Sequence, residues 1–428
     1  MASTTGTERS AGARTPTGNR WVLVGAGLLL QFSIGAVYAW SVFSKALQNG
    51  DAAPDWALSK VEASLPFTVT IAMIFIGTYI GGRIQDKKGP RIVALAGGVI
   101  YAIGIILASF ARGADQLWLL IAGYGVISGF GLGVAYIVPI AMLQKWFPDK
   151  KGLITGLAVG GFGFGAVLTS PVAQWLIDQD PSQPTKAFLW LGVAYLAMSL
   201  VGASFFKNPP EGYVVPGYEG TTGAGGEKAH EYTQGEALRT PQWYLLTAIL
   251  TLNVSAGIAL ISLAASSAEG IAGYSTTAAA TVVGVLAIFN GAGRIVWAAA
   301  SDYIGRMPAF AAMLGLQGIC LLVMPHAGNA ALWFILAAVI YLCYGGGFGT
   351  MPATAGDFFG VKNAGAIYGL MLIGWSIGGV IGPLVISTLL GSSDEPDYTL
   401  AYTTMGVIAL ASVALTFITK RPQDRAAA

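Results

Sequence analysis

Gly82-Arg83-Ile84-Gln85-Asp86-Lys87-Lys88-Gly89-Pro90-Arg91 follows one long apolar run, and Ala298-Ala299-Ala300-Ser301-Asp302-Tyr303-Ile304-Gly305-Arg306 follows another. The two aspartates stand 216 positions apart, about half of the 428-residue chain. Pro171 and Pro383 recur at almost the same interval, as do Phe147 and Phe359, each pair 212 apart. Matching landmarks at half the chain length predict two parallel repeats. In each copy the glycines suit a tight loop and close helix approach, and the aspartate is placed to cap a helix or to pair with a nearby arginine.

The sequence around these landmarks is 54% hydrophobic and 10% charged, with a mean hydropathy of +0.65. Soluble domains carry about 25% charged residues. Apolar runs of about 20 residues without strand-like alternation predict an all-α, multi-pass membrane protein whose solvent is the lipid bilayer. Twelve spans are expected at 21–47, 61–82, 91–111, 117–143, 153–177, 187–206, 242–266, 277–300, 307–325, 331–354, 365–390 and 399–419. They divide the chain into a tail at 1–19, a six-helix bundle at 20–206, a linker at 207–240, a second bundle at 241–420 and a tail at 421–428. The tail at 1–19 has no charged-then-apolar leader and reads as disordered rather than as a signal peptide.

An even number of spans puts both termini on one side. That side collects 18 of the 23 lysines and arginines, and the other side only Lys45, Lys60, Arg112 and Lys186. By the positive-inside rule both termini are expected in the cytoplasm, with the protein in a cell (inner) membrane. The opposite loops carry Asp51, Asp55, Asp178, Asp180, Asp394, Glu395 and Asp397. Glu269 is expected just beyond span 7, and Glu236-Ala237-Leu238-Arg239-Thr240-Pro241 reads as a short amphipathic segment before it. Net charge of +2 gives no reason to expect nucleic acid, and Cys320 and Cys343 read as small packing residues inside spans. No metal spacing, phosphate cradle or intramembrane histidine is present in the pattern, so neither a cofactor nor an enzyme activity is expected.

With both copies in view, the Gly-x-x-x-Asp-Lys-x-Gly-x-Arg stretch is similar to the signature of the major facilitator superfamily. The resemblance implies two pseudo-symmetric six-helix bundles and a role for Asp86, Lys87, Gly89, Arg91, Asp302, Gly305 and Arg306 in holding one access state closed. Four further stretches narrow it: Lys145-Trp146-Phe147-Pro148-Asp149-Lys150-Lys151-Gly152-Leu153, Asn208-Pro209-Pro210-Glu211-Gly212-Tyr213, Leu238-Arg239-Thr240-Pro241-Gln242-Trp243 and Asp357-Phe358-Phe359-Gly360. Together they resemble the bacterial oxalate/formate antiporter family and, more distantly, the animal monocarboxylate transporters, over about residues 19–420. Lys150 and Lys151 read as ordinary inner-face basic residues.

Arg294 is the one basic residue deep inside a span, with no acid in the apolar stretch around it. A guanidinium there costs roughly 2.5–3.5 kcal/mol even on the mildest scale, so it must meet an anion, a wet cavity or a structural acceptor such as a backbone carbonyl. Asn290 lies four residues earlier, on the same helix face. The planar fork of arginine matches a carboxylate. The family resemblance implies a central cavity lined mainly by spans 1, 4, 7 and 10, with spans 2, 5, 8 and 11 contributing. It therefore adds Tyr38 and Gln31 on span 1, Tyr136 on span 4, Tyr344 and Phe348 on span 10, Leu372 and Trp375 on span 11, and more weakly Asn253 on span 7.

Two departures sharpen the expectation. The oxalate carriers place a lysine on span 11, where this chain reads Gly374-Trp375-Ser376-Ile377. A single buried cation suits one carboxylate rather than two. The animal transporters place an aspartate where this chain has Asn290, which carries no proton. The expected activity is alternating-access transport of a small monocarboxylate such as lactate, pyruvate or formate, with proton symport in which the proton enters together with the carboxylate. Oxalate/formate antiport is the alternative, and a channel, an enzyme and a non-transporting receptor are rivals from other classes.

Overall fold

Among the described residues twelve helices account for the apolar runs, and their order is the order of the chain. The computed structural model describes residues 19–215, 230–390 and 398–422. The tail calls at 1–18 and 423–428, linker residues 216–229 with Lys228, and Asp394, Glu395 and Asp397 lie outside the described residues. The first six helices are α1 (Trp21–Gln48), α2 (Lys60–Lys88), α3 (Pro90–Ala108), α4 (Ala114–Trp146), α5 (Lys151–Gln179) and α6 (Ala187–Ser204). The second six are α7 (Pro241–Ala272), α8 (Thr276–Ile304), α9 (Arg306–Val323), α10 (Ala330–Phe359), α11 (Ala364–Met371 continuing as Ile373–Leu390) and α12 (Tyr398–Ile418). Among the described residues, eleven helices are long and apolar enough to cross a membrane, and the shorter apolar stretch Ala364–Gly379 belongs to α11.

Several helices outrun the apolar signal at the face that carries residues 19–20, the linker and residues 419–422, called here the linker face. The Asp86 and Asp302 stretches are not loops. Both aspartates sit in the last turn of a helix, and the chain turns only at Gly89 (φ +87°) and Gly305 (φ +93°), where a side chain would be strained. Polar residues extend a helix past the hydrocarbon boundary because the intrahelical bonds continue whether or not lipid surrounds them. For the same reason Glu269 lies within the last turns of α7 rather than beyond it. The segment before α7 is a single helical turn, Gln234–Ala237, closed by a capping box between Thr233 and Glu236. Two hydrogen bonds from Thr233 hold the Glu236 carboxyl below the usual glutamate range. Pro241 then opens α7 at a position where its missing N–H costs nothing.

The halves pack by one rule. In the first, α2 lies on α4, α3 on α4 and α6, and α1 on α5 and α6; in the second, α8 lies on α10, α9 on α10 and α12, and α7 on α11 and α12. These are the same pairs shifted by six helices. The halves meet through α5 against α8 and α2 against α11, again equivalent pairs. A glycine stripe on α5 makes the first contact possible. A Cβ at Gly152 would overlap the Ala298 carbonyl oxygen, and one at Gly156 would stand 2.6 Å from the Arg294 carbonyl oxygen. At the second contact a Cβ on Gly82 would overlap the carbonyl oxygen of Gly365.

Candidate functional site

Helix geometry carries Arg294 about 12 Å along α8 from Asp302, away from the linker face. There it is 1% exposed. Its Nε donates to Asn290 Oδ1 at 3.5 Å, and its Nη1 donates to the backbone carbonyl of Val159 on α5 at 3.3 Å. Nη2 is buried without a hydrogen-bond partner. A backbone carbonyl is therefore one of the acceptors that Arg294 meets. Both bonds are long for a charged donor, whose bonds to a carboxylate run about 2.7–2.9 Å. The guanidinium also lies between one ring from each half, 5.8 Å from Phe162 and 5.1 Å from Phe348.

Aromatic residues extend from those two rings. In the first half Phe162 meets Tyr38 at 5.2 Å and Tyr136 at 5.0 Å, both edge-on. In the second half Phe348 meets Tyr344 and Trp375, each at 5.3 Å. Tyr38, Tyr136 and Tyr344 all lie near enough to Arg294 to act on it electrostatically. Tyr38 occupies a 3-10 turn, Ala36–Ala39, that interrupts α1. Leu372 is buried at the interruption of α11, and its carbonyl accepts the Trp375 N–H at 3.0 Å. Irregular turns in the middle of a span are tolerated where they are buried in protein or line a cavity.

The structure thus gathers Arg294, Asn290, Tyr38, Tyr136, Tyr344, Phe348 and Trp375 around one point, with Leu372 beside Trp375. Gln31 and Asn253 do helix-bridging work instead. Gln31 Nε2 donates to the Tyr136 carbonyl at 3.3 Å, and Asn253 Nδ2 to the Cys343 carbonyl at 3.4 Å. Phe162 was not singled out from sequence, although it is the large residue inside the run Gly160-Gly161-Phe162-Gly163. Tyr368 on α11, beside Tyr136, was also missed. Among the described residues no cluster of histidine, cysteine, aspartate or glutamate is suited to a metal.

The two signature aspartates reach across the interface between the halves. Asp302 accepts the N–H groups of Gly152 and Leu153, at 2.9 and 3.0 Å, so a residue of α8 caps the start of α5. Asp86 accepts the N–H of Ala366 at 2.8 Å and caps the start of α11. Asp86 pairs with Lys145 at 3.6 Å and not with an arginine. Arg306 binds both Asp302 at 2.7 Å and Asp357 at 2.8 Å, and Lys151 from the other half adds a bond to Asp357 at 3.0 Å. Lys87 is exposed, and Arg91 donates to the Phe206 carbonyl at 3.2 Å within its own half. Gln144 to the Pro352 carbonyl and Thr155 to the Gly349 carbonyl add further bonds between the halves. In this structure the halves are joined from the level of Arg294 to the linker face.

The description Major Facilitator Superfamily belongs to a family model that matches residues 21–383 and 272–428. The chain is similar to an oxalate:formate antiporter of Oxalobacter formigenes, 26% identical over 357 residues that cover 82% of this chain and 80% of the relative. It is similar to monocarboxylate transporter 11 of Homo sapiens, 26% identical over 410 residues, with 91% and 80% covered. Its fold matches the crystal structure of a Major Facilitator Superfamily transporter, FucP, in the outward conformation. That match has a TM-score of 0.68 at 17% identity and covers 94% of this chain and 100% of that one.

Proposed function

We propose, from the premise that the chain belongs to the Major Facilitator Superfamily, that it is a secondary carrier of small monocarboxylates of the lactate, pyruvate or formate class. The observation that carries this reading is the Arg294 guanidinium, buried, flanked by aromatic rings, and left with an unpartnered Nη2. A buried charge with so few bonds is costly, and a carboxylate would supply the missing charge-assisted pair. No lysine or arginine lies in α11 to receive a second carboxylate. A dianion would leave one carboxylate unpaired in a low-dielectric site, so oxalate/formate exchange is the weaker reading. The aromatic surround keeps the site compact, as suits a substrate of few atoms.

In this proposal the linker face is the cytoplasmic one, because most of the basic residues collect there. The Asp86 and Asp302 caps then hold the cytoplasmic side closed while substrate enters from the other side. The two six-helix halves at 20–206 and 241–420 move as units, joined by the 207–240 linker. Proton symport is part of the proposal, with the proton neutralising the carboxylate–Arg294 site as a whole. Uptake of labelled lactate, pyruvate, formate and oxalate into proteoliposomes, with and without an inward proton gradient, tests both parts. Monocarboxylate uptake driven by the gradient is expected. Uptake of oxalate alone would overturn the substrate class, and indifference to the gradient would overturn proton coupling.

A further inference from the structure

Thr78 and Arg294 are equivalent positions. Each lies eight residues before the signature aspartate of its helix, Thr78 on α2 and Arg294 on α8. Each faces the other half at an equivalent helix pair, α2 against α11 and α5 against α8. Each reaches a backbone carbonyl there: Thr78 Oγ1 lies 3.1 Å from the Gly369 carbonyl, sharing its one proton with the Phe75 carbonyl of its own helix at 2.9 Å, and Arg294 Nη1 donates to Val159 at 3.3 Å. Two unrelated side chains at one repeat position reaching a backbone carbonyl across equivalent interfaces indicates that the contact belongs to the architecture. A helix carbonyl has a second lone pair after its intrahelical bond, and here each half offers it to the other.

From this we infer that Arg294 is also a tie between the halves. Its Nη1–Val159 bond stabilises the arrangement in which the linker face is closed, and does so without substrate. The bond also decides which edge of the guanidinium is left for a ligand. With Nη1 committed to α5, the remaining pair of parallel donors is Nε and Nη2. Nη2 makes no hydrogen bond and Nε has the 3.5 Å contact to Asn290, with the Tyr38 side chain within reach of the guanidinium. A carboxylate therefore docks side-on against that edge and leaves the tie in place, so the filled site and the closed linker face are compatible. Opening the linker face breaks the Val159 bond. The tie stands on the geometry alone; the docking edge rests on the monocarboxylate reading above.

The test is a distance distribution between spin labels at Lys88→Cys on α2 and Tyr303→Cys on α8, both exposed at the linker face. Cys320 and Cys343 are replaced by alanine, and the protein is held in lipid nanodiscs without any carboxylate. A hydrogen bond to a charged donor, long as this one is, is worth about a tenfold change in an equilibrium. Arg294→Gln is expected to lower the ratio of short to long distances about tenfold relative to the parent, with Thr78→Val giving a smaller shift in the same direction. A parent-like distribution in Arg294→Gln, or one more closed, overturns the tie. If Arg294→Gln does not fold, Gly163→Ala decides. It keeps the charge but sets a methyl 3.2 Å from Nε and 3.3 Å from Cδ of Arg294. It should open the linker face, and an unchanged distribution overturns the inference. Adding lactate separates the two readings. If lactate neither binds the parent nor alters its distances while the Arg294→Gln shift persists, the monocarboxylate reading fails and the tie stands.

Discussion

At Arg294 a single side chain answers to two demands. It is the basic residue that an apolar span does not accommodate, and it is the group on which rings from both halves converge. Lysine in its place keeps the charge but loses the planar fork that meets a carboxylate with two parallel bonds. Arg294→Lys is expected to cut uptake of labelled lactate at least tenfold in proteoliposomes, about 1.4 kcal/mol or more; parent-like uptake would remove the bidentate anchor from the proposal. Phe162 holds the ring system of the first half together and faces the guanidinium. Phe162→Ala is expected to raise KM several-fold and to let longer 2-oxo acids compete, since a ring over a desolvated cation is worth about 0.5–2 kcal/mol and its removal leaves space. A competition curve unchanged from the parent would count against a wall at this position. Arg294, Asn290 and the tyrosines were legible because charge and hydroxyls are conspicuous among apolar neighbours. Val159 was not, since its contribution is a backbone carbonyl that every residue possesses.

Along the helices, spacing of glycines does what side chains do elsewhere. Gly152, Gly156, Gly160 and Gly163 recur at about one-turn intervals on α5 and all face α8. The glycines are visible in the linear order, but the helix they face is not, because close approach is a property of two surfaces. Gly156→Val would drive a branched side chain into the Arg294 backbone and is expected to cost about 1–3 kcal/mol, seen as a lower thermal unfolding temperature in detergent. An unchanged temperature would mean that α5 and α8 separate readily. Asp302 acts at the end of the same contact. Asp302→Ala leaves the N–H groups of Gly152 and Leu153 without acceptors, a loss of about 1 kcal/mol by analogy with other helix caps. It should make a cysteine at the start of α5 react faster with a thiol reagent; no acceleration would argue that the cap does not hold the linker face. Reading the signature stretches as loops failed for a simple reason. Hydropathy marks where lipid ends, whereas hydrogen bonding carries α2 and α8 on to Gly89 and Gly305.

The molecule as a whole repeats itself and departs from the repeat at its centre. Helix pairs within and between the halves correspond, and both signature aspartates cap a helix of the opposite half. Yet one repeat carries threonine where the other carries arginine. Symmetry supplies two equivalent interfaces that close the linker face together, and the asymmetry puts a buried guanidinium in only one of them. A carrier built this way should show counterflow: preloading proteoliposomes with unlabelled lactate should accelerate entry of labelled lactate. An entry rate independent of preloading would point to a channel.

The sequence by itself determined the class, the repeat and the charge. Apolar run lengths, landmarks at half the chain and a lone intramembrane arginine are properties of the linear order, and burial in lipid leaves few ways to satisfy them. Which groups meet Arg294 was decided only by the tertiary structure. Phe162, Phe348 and the Val159 carbonyl come from helices far apart in the chain, and their convergence depends on how closely α5 and α10 approach α8. That distance is set by the packing of facing surfaces, which no single helix encodes.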